Sequence, residues 1–246
     1  MSLVVLLQAR LGSARLPGKV LLPLGGLPLV QWPIHRLATL GPVIACIPTT
    51  LANDPLAAAI EGPCIRGDED DILARFLAAL ERYPADIVIR ATADNPFVLP
   101  ELARAAIGTL QAEAADYCSI EGSALGTTVE VLRAGTLRRI ADLTTLADEH
   151  EHPTLGILRR PSVFRIARFQ APQPYFAPDL RLTIDTHADY TRAQALVAQL
   201  AAPVDSGWTA IQTAAKLLDN VHDEAGPVQQ HLAEIQRLKE RAWHPQ

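Results

Sequence analysis

Residues 3–20, Leu-Val-Val-Leu-Leu-Gln-Ala-Arg-Leu-Gly-Ser-Ala-Arg-Leu-Pro-Gly-Lys-Val, decide how the remainder of the chain is read. Residues 3–7 are an unbroken apolar run, the pattern of a strand buried on both faces. The stretch from Gln8 to Val20 then gathers Arg10, Arg15 and Lys19 with Gly12, Ser13, Pro17 and Gly18. A cationic, glycine-bearing loop at the carboxyl end of a central strand is where an open α/β sheet receives an anionic ligand. Glycines let the backbone come close to phosphate oxygens, and cations neutralise them. The two common phosphate loops do not fit. A Walker loop needs four residues between its glycines and Ser or Thr after the Lys. Here five residues separate Gly12 from Gly18, and Val20 follows Lys19. No G-x-G-x-x-G stands at this strand end either. A basic, solvated surface turn is the plain alternative.

The run A-R-L-G-S-A-R-L-P-G-K-V-L, residues 9–21, resembles the nucleotide-binding signature of the CMP-sugar synthetases. These are the cytidylyltransferases that activate 3-deoxy-manno-octulosonate and acylneuraminate, and the resemblance is strongest to their spore coat polysaccharide biosynthesis protein F branch. It implies CTP as ligand, with Arg10, Ser13 and Lys19 on the triphosphate, Gly12 allowing the approach, and Ala9 and Arg15 beside them.

Composition sets the outer limits. At 246 residues the chain is long enough to bury a sizeable core, and residues 1–246 are read as one domain. With 49% hydrophobic and 20% charged residues it is an ordinary globular sequence, not a disordered one. A net charge of −5 gives no reason to expect nucleic acid or an anionic membrane as partner. Cys46, Cys64 and Cys118 lack metal-ligand spacing; Cys46 and Cys64 sit in apolar, strand-like runs and are expected as buried free thiols. The first apolar run is short, has no basic region before it and no small-residue cleavage site after it. Neither a signal peptide nor a membrane span is expected, and a cytoplasmic location follows.

Beyond the loop, strand and helix patterns alternate. Pro28 opens a helix to Leu40, in which Pro33 should remove a backbone bond and bend the axis. Val43 to Ile47 reads as a strand, Asn53 or Asp54 as the cap of a short helix to Ile60, and Cys64 to Arg66 as a third strand. Gly67 to Asp71 is an acid-rich turn before a helix to Tyr83. Such alternation predicts a mostly parallel sheet with helices on both faces, its strand ends converging on one edge. The resemblance lays the second and third strand loops over base and ribose, with Thr49, Arg66, Gly67 and Arg75 as base-pocket candidates. Arg75 reads equally well as an exposed helix residue.

Asp86 to Arg90 is a fourth buried strand, running into Ala91-Thr92-Ala93-Asp94-Asn95-Pro96. An Asp at this place suits a hard cation; an Asx turn explains it as well. The family pattern R-x-T-G-D-x-P is matched by Arg90, Thr92, Asp94 and Pro96, with Ala93 in place of the glycine, and the resemblance counts Arg90 among the residues that bind CTP. Leu180 to Thr186 reads as a further strand ending in Asp185, before a helix near His187. The family's L-R-L-T-V-D-T supplies the second metal carboxylate, so the resemblance makes Asp94 and Asp185 ligands of Mg²⁺. Capping alone would also account for Asp185 or Thr186.

Between these aspartates, residues 101–113 look helical, and 115–120, 126–132 and 164–169 look like strands. GTTVEVL at 126–132 resembles G-L-D-V-E-V with Thr128 in an acidic place and Glu130 kept. The run Asp148-Glu149-His150-Glu151-His152 is read as a loop before Pro153. Its His-x-His lacks further ligands for zinc, and the resemblance favours dimer contact. After Asp185, residues 188–201 and 209–218 are helical, and 227–243 is a surface-docked helix.

The fold expected is thus α/β: a mostly parallel, Rossmann-like nucleotidyltransferase sheet flanked by helices, with a β-rich dimerisation subregion near 120–175. The resemblance implies Mg²⁺-dependent transfer of CMP from CTP to a sugar or keto-sugar acid by a homodimer, with Arg10, Lys19, Asp94 and Asp185 catalytic. A metal-dependent glycosyltransferase and a nucleotide-binding module without turnover are the alternatives.

Overall fold

Strand β1, Leu3–Gln8, is the axis of the molecule. Its residues Val4, Val5, Leu6 and Leu7 are at most 2% exposed. Because alternate residues point to opposite faces, Val5 and Leu7 enter one hydrophobic core and Val4 and Leu6 the other. Each such side chain contributes roughly 1.5–3 kcal/mol on burial. The computed structural model describes residues 1–218 and 227–243.

A two-stranded hairpin follows the cationic loop, β2 Pro23–Leu24 against β3 Leu27–Pro28. Its turn is Gly25-Gly26, with φ of 56° and 88°, the left-handed pair that a two-residue hairpin demands. Helix α1 therefore begins only at Gln31 and ends at Leu37, instead of opening at Pro28. Pro33 lies in its first turn, where the backbone N–H has no helical acceptor in any case, so it costs no bond.

Then come β4 Val43–Pro48, α2 Asp54–Ala59, β5 Cys64–Gly67, α3 Ile72–Arg82 and β6 Ile87–Thr92. The remaining elements are α4 Pro100–Ala112, β7 Tyr117–Glu121, β8 Glu130–Arg133, α5 Ala134–Leu143, α6 Ala147–Glu151, α7 Pro153–Leu158 and β9 Ile166–Gln170. They are followed by α8 His187–Val197, α9 Trp208–Lys216 and α10 Pro227–Trp243. The main sheet has the order β5-β4-β1-β6-β8-β7-β9. It is parallel except at β8, which runs antiparallel to both of its neighbours. Helices α1, α2, α4, α8 and α9 cover one face, and α3, α5 and α7 the other. This is the expected α/β architecture. In α10, Ile235 and Leu238 pack on the second face.

Several local expectations fail, each for a visible reason. Asn53 stands at the N-cap position of α2 without capping it, because its side chain accepts from Leu11 N–H (2.9 Å) and donates to Thr50 (2.8 Å). Strand β8 starts at Glu130, not at Gly126. The preceding residues turn back, with Thr127 N–H on Ala124 O and Gly126 at φ 94°. Gly126 also lies against the backbone of Leu182 and Thr183, too close for any side chain. Residues 180–186 form no strand. Strand β6 is paired by β1 along its length and by β8 over residues 87–90, and this segment bonds to neither strand but to the backbone at Leu125 and Asp94. Leu125 N–H bonds Leu180 O (2.9 Å), Leu182 N–H bonds Leu125 O (2.7 Å) and Ile184 N–H bonds Asp94 O (2.9 Å). Residues 148–151 are helical, not a loop; only His152 bends the chain before Pro153, which opens α7 where a missing N–H is harmless. The subregion near 120–175 carries β8 and β9 of the main sheet, with three helices between them.

Candidate active site

The carboxyl ends of β1 and β6 lie side by side, with Gln8 opposite Thr92. The cationic loop leaves β1 here and is held in shape by its own backbone. Gly18 N–H bonds Leu11 O (3.1 Å), Leu16 N–H bonds Ser13 Oγ (3.3 Å), and Gly18 itself is left-handed at φ 69°. A short helical turn, residues 19–21, follows and aims Lys19 inward.

Lys19 Nζ donates to Asp94 Oδ2 (2.8 Å), Asp185 Oδ1 (2.9 Å) and Ile184 O (2.9 Å). Arg15 Nη2 reaches the same Asp185 oxygen at 3.1 Å, and Arg181 Nη2 takes its other oxygen at 2.8 Å. Arg181 is in turn fixed by Asp189, which also accepts from the backbone N–H groups of Asp185 and Thr186 and closes the capping box of α8. Burial would raise the Asp94 carboxyl, but the Lys19 ammonium offsets this and holds it below the ordinary range. Burial opposes the Lys19 charge, yet Asp94 and Asp185 raise its pKa above the usual value.

These groups border a cavity of about 540 Å³. Gln8, Ala9, Arg10, Gly12, Ser13, Arg15, Lys19, Arg90, Asp94 and Asp185 line it, together with Glu151 and His152. Arg10 Nη2 pairs with Glu151 Oε1 at 2.8 Å, and beside it His150 Nδ1 meets Asp71 Oδ2 at 2.8 Å. The phosphate-loop and aspartate candidates are therefore brought together. Gly12 has no left-handed backbone, and a Cβ there would meet only Glu69 Oε1 at 3.8 Å, so it leaves room without being forced.

The base-pocket candidates do not join the cavity. Thr49 Oγ1 donates to Gly67 O (2.8 Å), which ties the second loop to the third. Arg66 pairs with Asp54 (2.7 Å) and donates to Thr49 O (3.1 Å). Arg75 is neither in the cavity nor exposed. At 1% exposure it is buried beneath the turn at 67–71, donating to Asp68 O (2.6 Å) and Glu69 O (3.1 Å). Sequence reasoning missed Gln8, Glu151, His152 and Arg181 as site residues. The first three belong to stretches already noted, and an arginine inside the apolar run 180–184 was the available signal for the last.

Asp94 Oδ2 and Asp185 Oδ1 converge on the Lys19 ammonium, and the same two carboxylates offer the hard oxygen donors that a divalent cation would take, phosphate oxygens and water filling its other positions. Among the described residues no group of three or more His, Cys, Asp and Glu side chains converges, so such an ion would depend on this pair. Nor, among them, is any helix long and apolar enough to cross a membrane.

Residues 4–218 match the family model described as cytidylyltransferase. The chain is 36% identical over 209 residues to the spore coat polysaccharide biosynthesis protein SpsF of Bacillus subtilis, covering 79% of this chain and 85% of the relative. It is 35% identical over 120 residues to a 3-deoxy-manno-octulosonate cytidylyltransferase of Rhizobium johnstonii, 46% of this chain and 48% of that one. The solved structure of a cytidylyltransferase from Leptospira borgpetersenii superposes with a TM-score of 0.82 at 22% identity, over 91% of this chain and 100% of that chain.

Proposed function

The chain belongs to the cytidylyltransferase family and is a nucleotidyltransferase, and from that premise we propose that it transfers CMP from CTP to a sugar or keto-sugar acid for surface polysaccharide synthesis, with Mg²⁺ as its metal. One observation supports this reading above all: Lys19 joins Asp94 and Asp185 at the cavity edge, with Arg10 and Arg15 on the same loop. That is a charge arrangement for a polyanion with a bound cation, and neither half would serve a neutral ligand.

In the proposed reaction an acceptor hydroxyl oxygen attacks the α-phosphorus of CTP in line, the bond to pyrophosphate breaks, and the hydroxyl proton is released. Arg10, Arg15 and Lys19 lie where they can neutralise the leaving pyrophosphate, and the loop hydrogen bonds fix them before substrate arrives. Asp94 and Asp185 would hold Mg²⁺, which supplies charge neutralisation at the phosphate oxygens. Asp189 and Arg181 keep the Asp185 carboxylate aimed at the cavity edge. A homodimer built around residues 120–175 and a cytoplasmic location, where CTP is available, belong to the same proposal.

The test is pyrophosphate release from CTP and Mg²⁺ with a panel of sugar acids, 3-deoxy-manno-octulosonate and N-acetylneuraminate among them. Metal-dependent release with at least one acceptor is expected. Nucleoside diphosphate freed from a sugar-nucleotide donor, with no release from CTP, would overturn it. Light scattering on a sizing column checks the dimer, and a monomer mass removes that part alone.

A further inference from the structure

Behind the cavity wall lies a buried polar chain that the proposed reaction does not use. Strands β6 and β8 pair antiparallel so that Arg90 and Glu130 stand opposite each other. Arg90 Nη1 donates to Glu130 Oε2, Arg90 Nη2 donates to Gln8 Oε1 (2.9 Å), and Tyr117 from β7 donates its hydroxyl to Glu130 Oε1 (2.9 Å). Tyr117 is fully buried, and the arginine and glutamate side chains are 12% and 22% exposed. Burial would raise the Glu130 carboxyl, but the Arg90 guanidinium holds it below the ordinary range. Of this chain only Gln8 and Arg90 reach the cavity, and Arg90 Nε has no acceptor among the described residues.

The two cation sets bordering the cavity differ in kind. Arg10 and Glu151 are 35% and 36% exposed, a screened pair that can exchange partners for a phosphate. Arg90 and Glu130 are fixed by strand register and by Tyr117, so the guanidinium brings donors to the wall without a spare charge. Such a group suits the oxygens of a sugar better than a polyanion. Position agrees. Gln8 and Arg90 follow Leu6 and Val88 on the sheet face covered by α3 and α7, set back from the Lys19–Asp94–Asp185 cluster, while Arg10 reaches across to Glu151 of α6.

We propose that Glu130, backed by Tyr117, is a positioning residue that holds Arg90 against the acceptor sugar rather than against CTP. The proposal rests on the cytidylyl-transfer reading. A half-made version of this chain would leave a buried charge without its partner, which is why all three residues act as a unit.

The test compares Tyr117→Phe, Glu130→Gln and Arg90→Ala with wild type. Pyrophosphate-release kinetics use the most active acceptor of the panel, and calorimetry measures CTP affinity. The expected result is an acceptor KM raised about tenfold in Glu130→Gln and about threefold in Tyr117→Phe, with CTP affinity unchanged. Tyr117→Phe should add nothing in an Arg90→Ala background. If Glu130→Gln fails to fold, Tyr117→Phe, which removes only a hydroxyl, carries the comparison. Wild-type acceptor KM in Tyr117→Phe, or CTP affinity falling in parallel with it, overturns the proposal while leaving cytidylyl transfer intact. A wild type that releases no pyrophosphate with any acceptor removes the reading beneath it, and this proposal with it.

Discussion

Lys19 holds together two carboxylates that would otherwise repel each other at short range. Replacing it with alanine removes the ammonium from Asp94 and Asp185 together and from the leaving pyrophosphate. Pyrophosphate release should fall roughly 10²–10³-fold in Lys19→Ala, the loss typical of one preorganised charge-stabilising donor. A rate within a factor of a few of wild type would show that Lys19 is only a structural counter-ion. The thiols are governed chiefly by burial. Cys46 and Cys118 are completely buried and their pKa values are pushed up to about 12, while Cys64 is half-buried and raised less far. At pH 8 Ellman's reagent should therefore modify no more than one thiol in the native protein and all three after denaturation. Rapid reaction of two or three native thiols would contradict this packing. The sequence exposed these residues unevenly. Lys19 and Asp94 sit in motifs whose charge and turn chemistry are local, and both border the cavity. The location of Arg75 is decided by what packs over it, which no spacing reveals.

At the scale of the element, α6 is the least obvious piece and the most heavily tied. Its Glu149 is fully buried yet charged, accepting from Arg159 Nη1 (3.3 Å) and Arg160 Nη1 (2.8 Å). Burial would raise its carboxyl, but Thr144 and the two arginines lower it below the ordinary value. A carboxyl held low in the folded state stabilises above its unfolded pKa of about 4.3, and that stabilisation is lost as pH falls through the folded value. Glu149→Gln should thus cost about 2 kcal/mol in urea unfolding at pH 7. The gap from wild type should close below about pH 4. A gap constant with pH would mean that shape, not charge, holds α6. This element was illegible beforehand because its acid-and-histidine run has no apolar stripe of its own; tertiary ion pairs make the helix. Strands β1, β4 and β6 were legible because their apolar runs suffice without help. The stretch 180–186 looked the same by pattern and formed no strand, since strand formation also needs a continuous partner, and this segment meets only single residues at Leu125 and Asp94.

Across the whole molecule the two cores share one sheet, and alternate residues of β1 belong to each. Neither core can open while the other stays packed. Far-ultraviolet circular dichroism and tryptophan fluorescence, the latter reporting Trp32 and Trp208 in one core and Trp243 on α10, should give a single coincident transition in urea. Two separated transitions would show that the faces unfold independently. The sheet-and-helix layering was readable from periodicity, while the meeting of distant segments at its edge came only from the resemblance and the geometry. Lys19 lies 75 positions before Asp94 and 166 before Asp185. The last of the three arrives on a segment held by backbone bonds to Leu125 and Asp94, by the Arg181–Asp189 pair and by the burial of Leu182 and Ile184. The cationic loop and Asp94 are thus made well before the acid that completes their ion-pair cluster. A shortened chain that stops before Asp185 would keep the loop and β6 and lack the third member of that cluster.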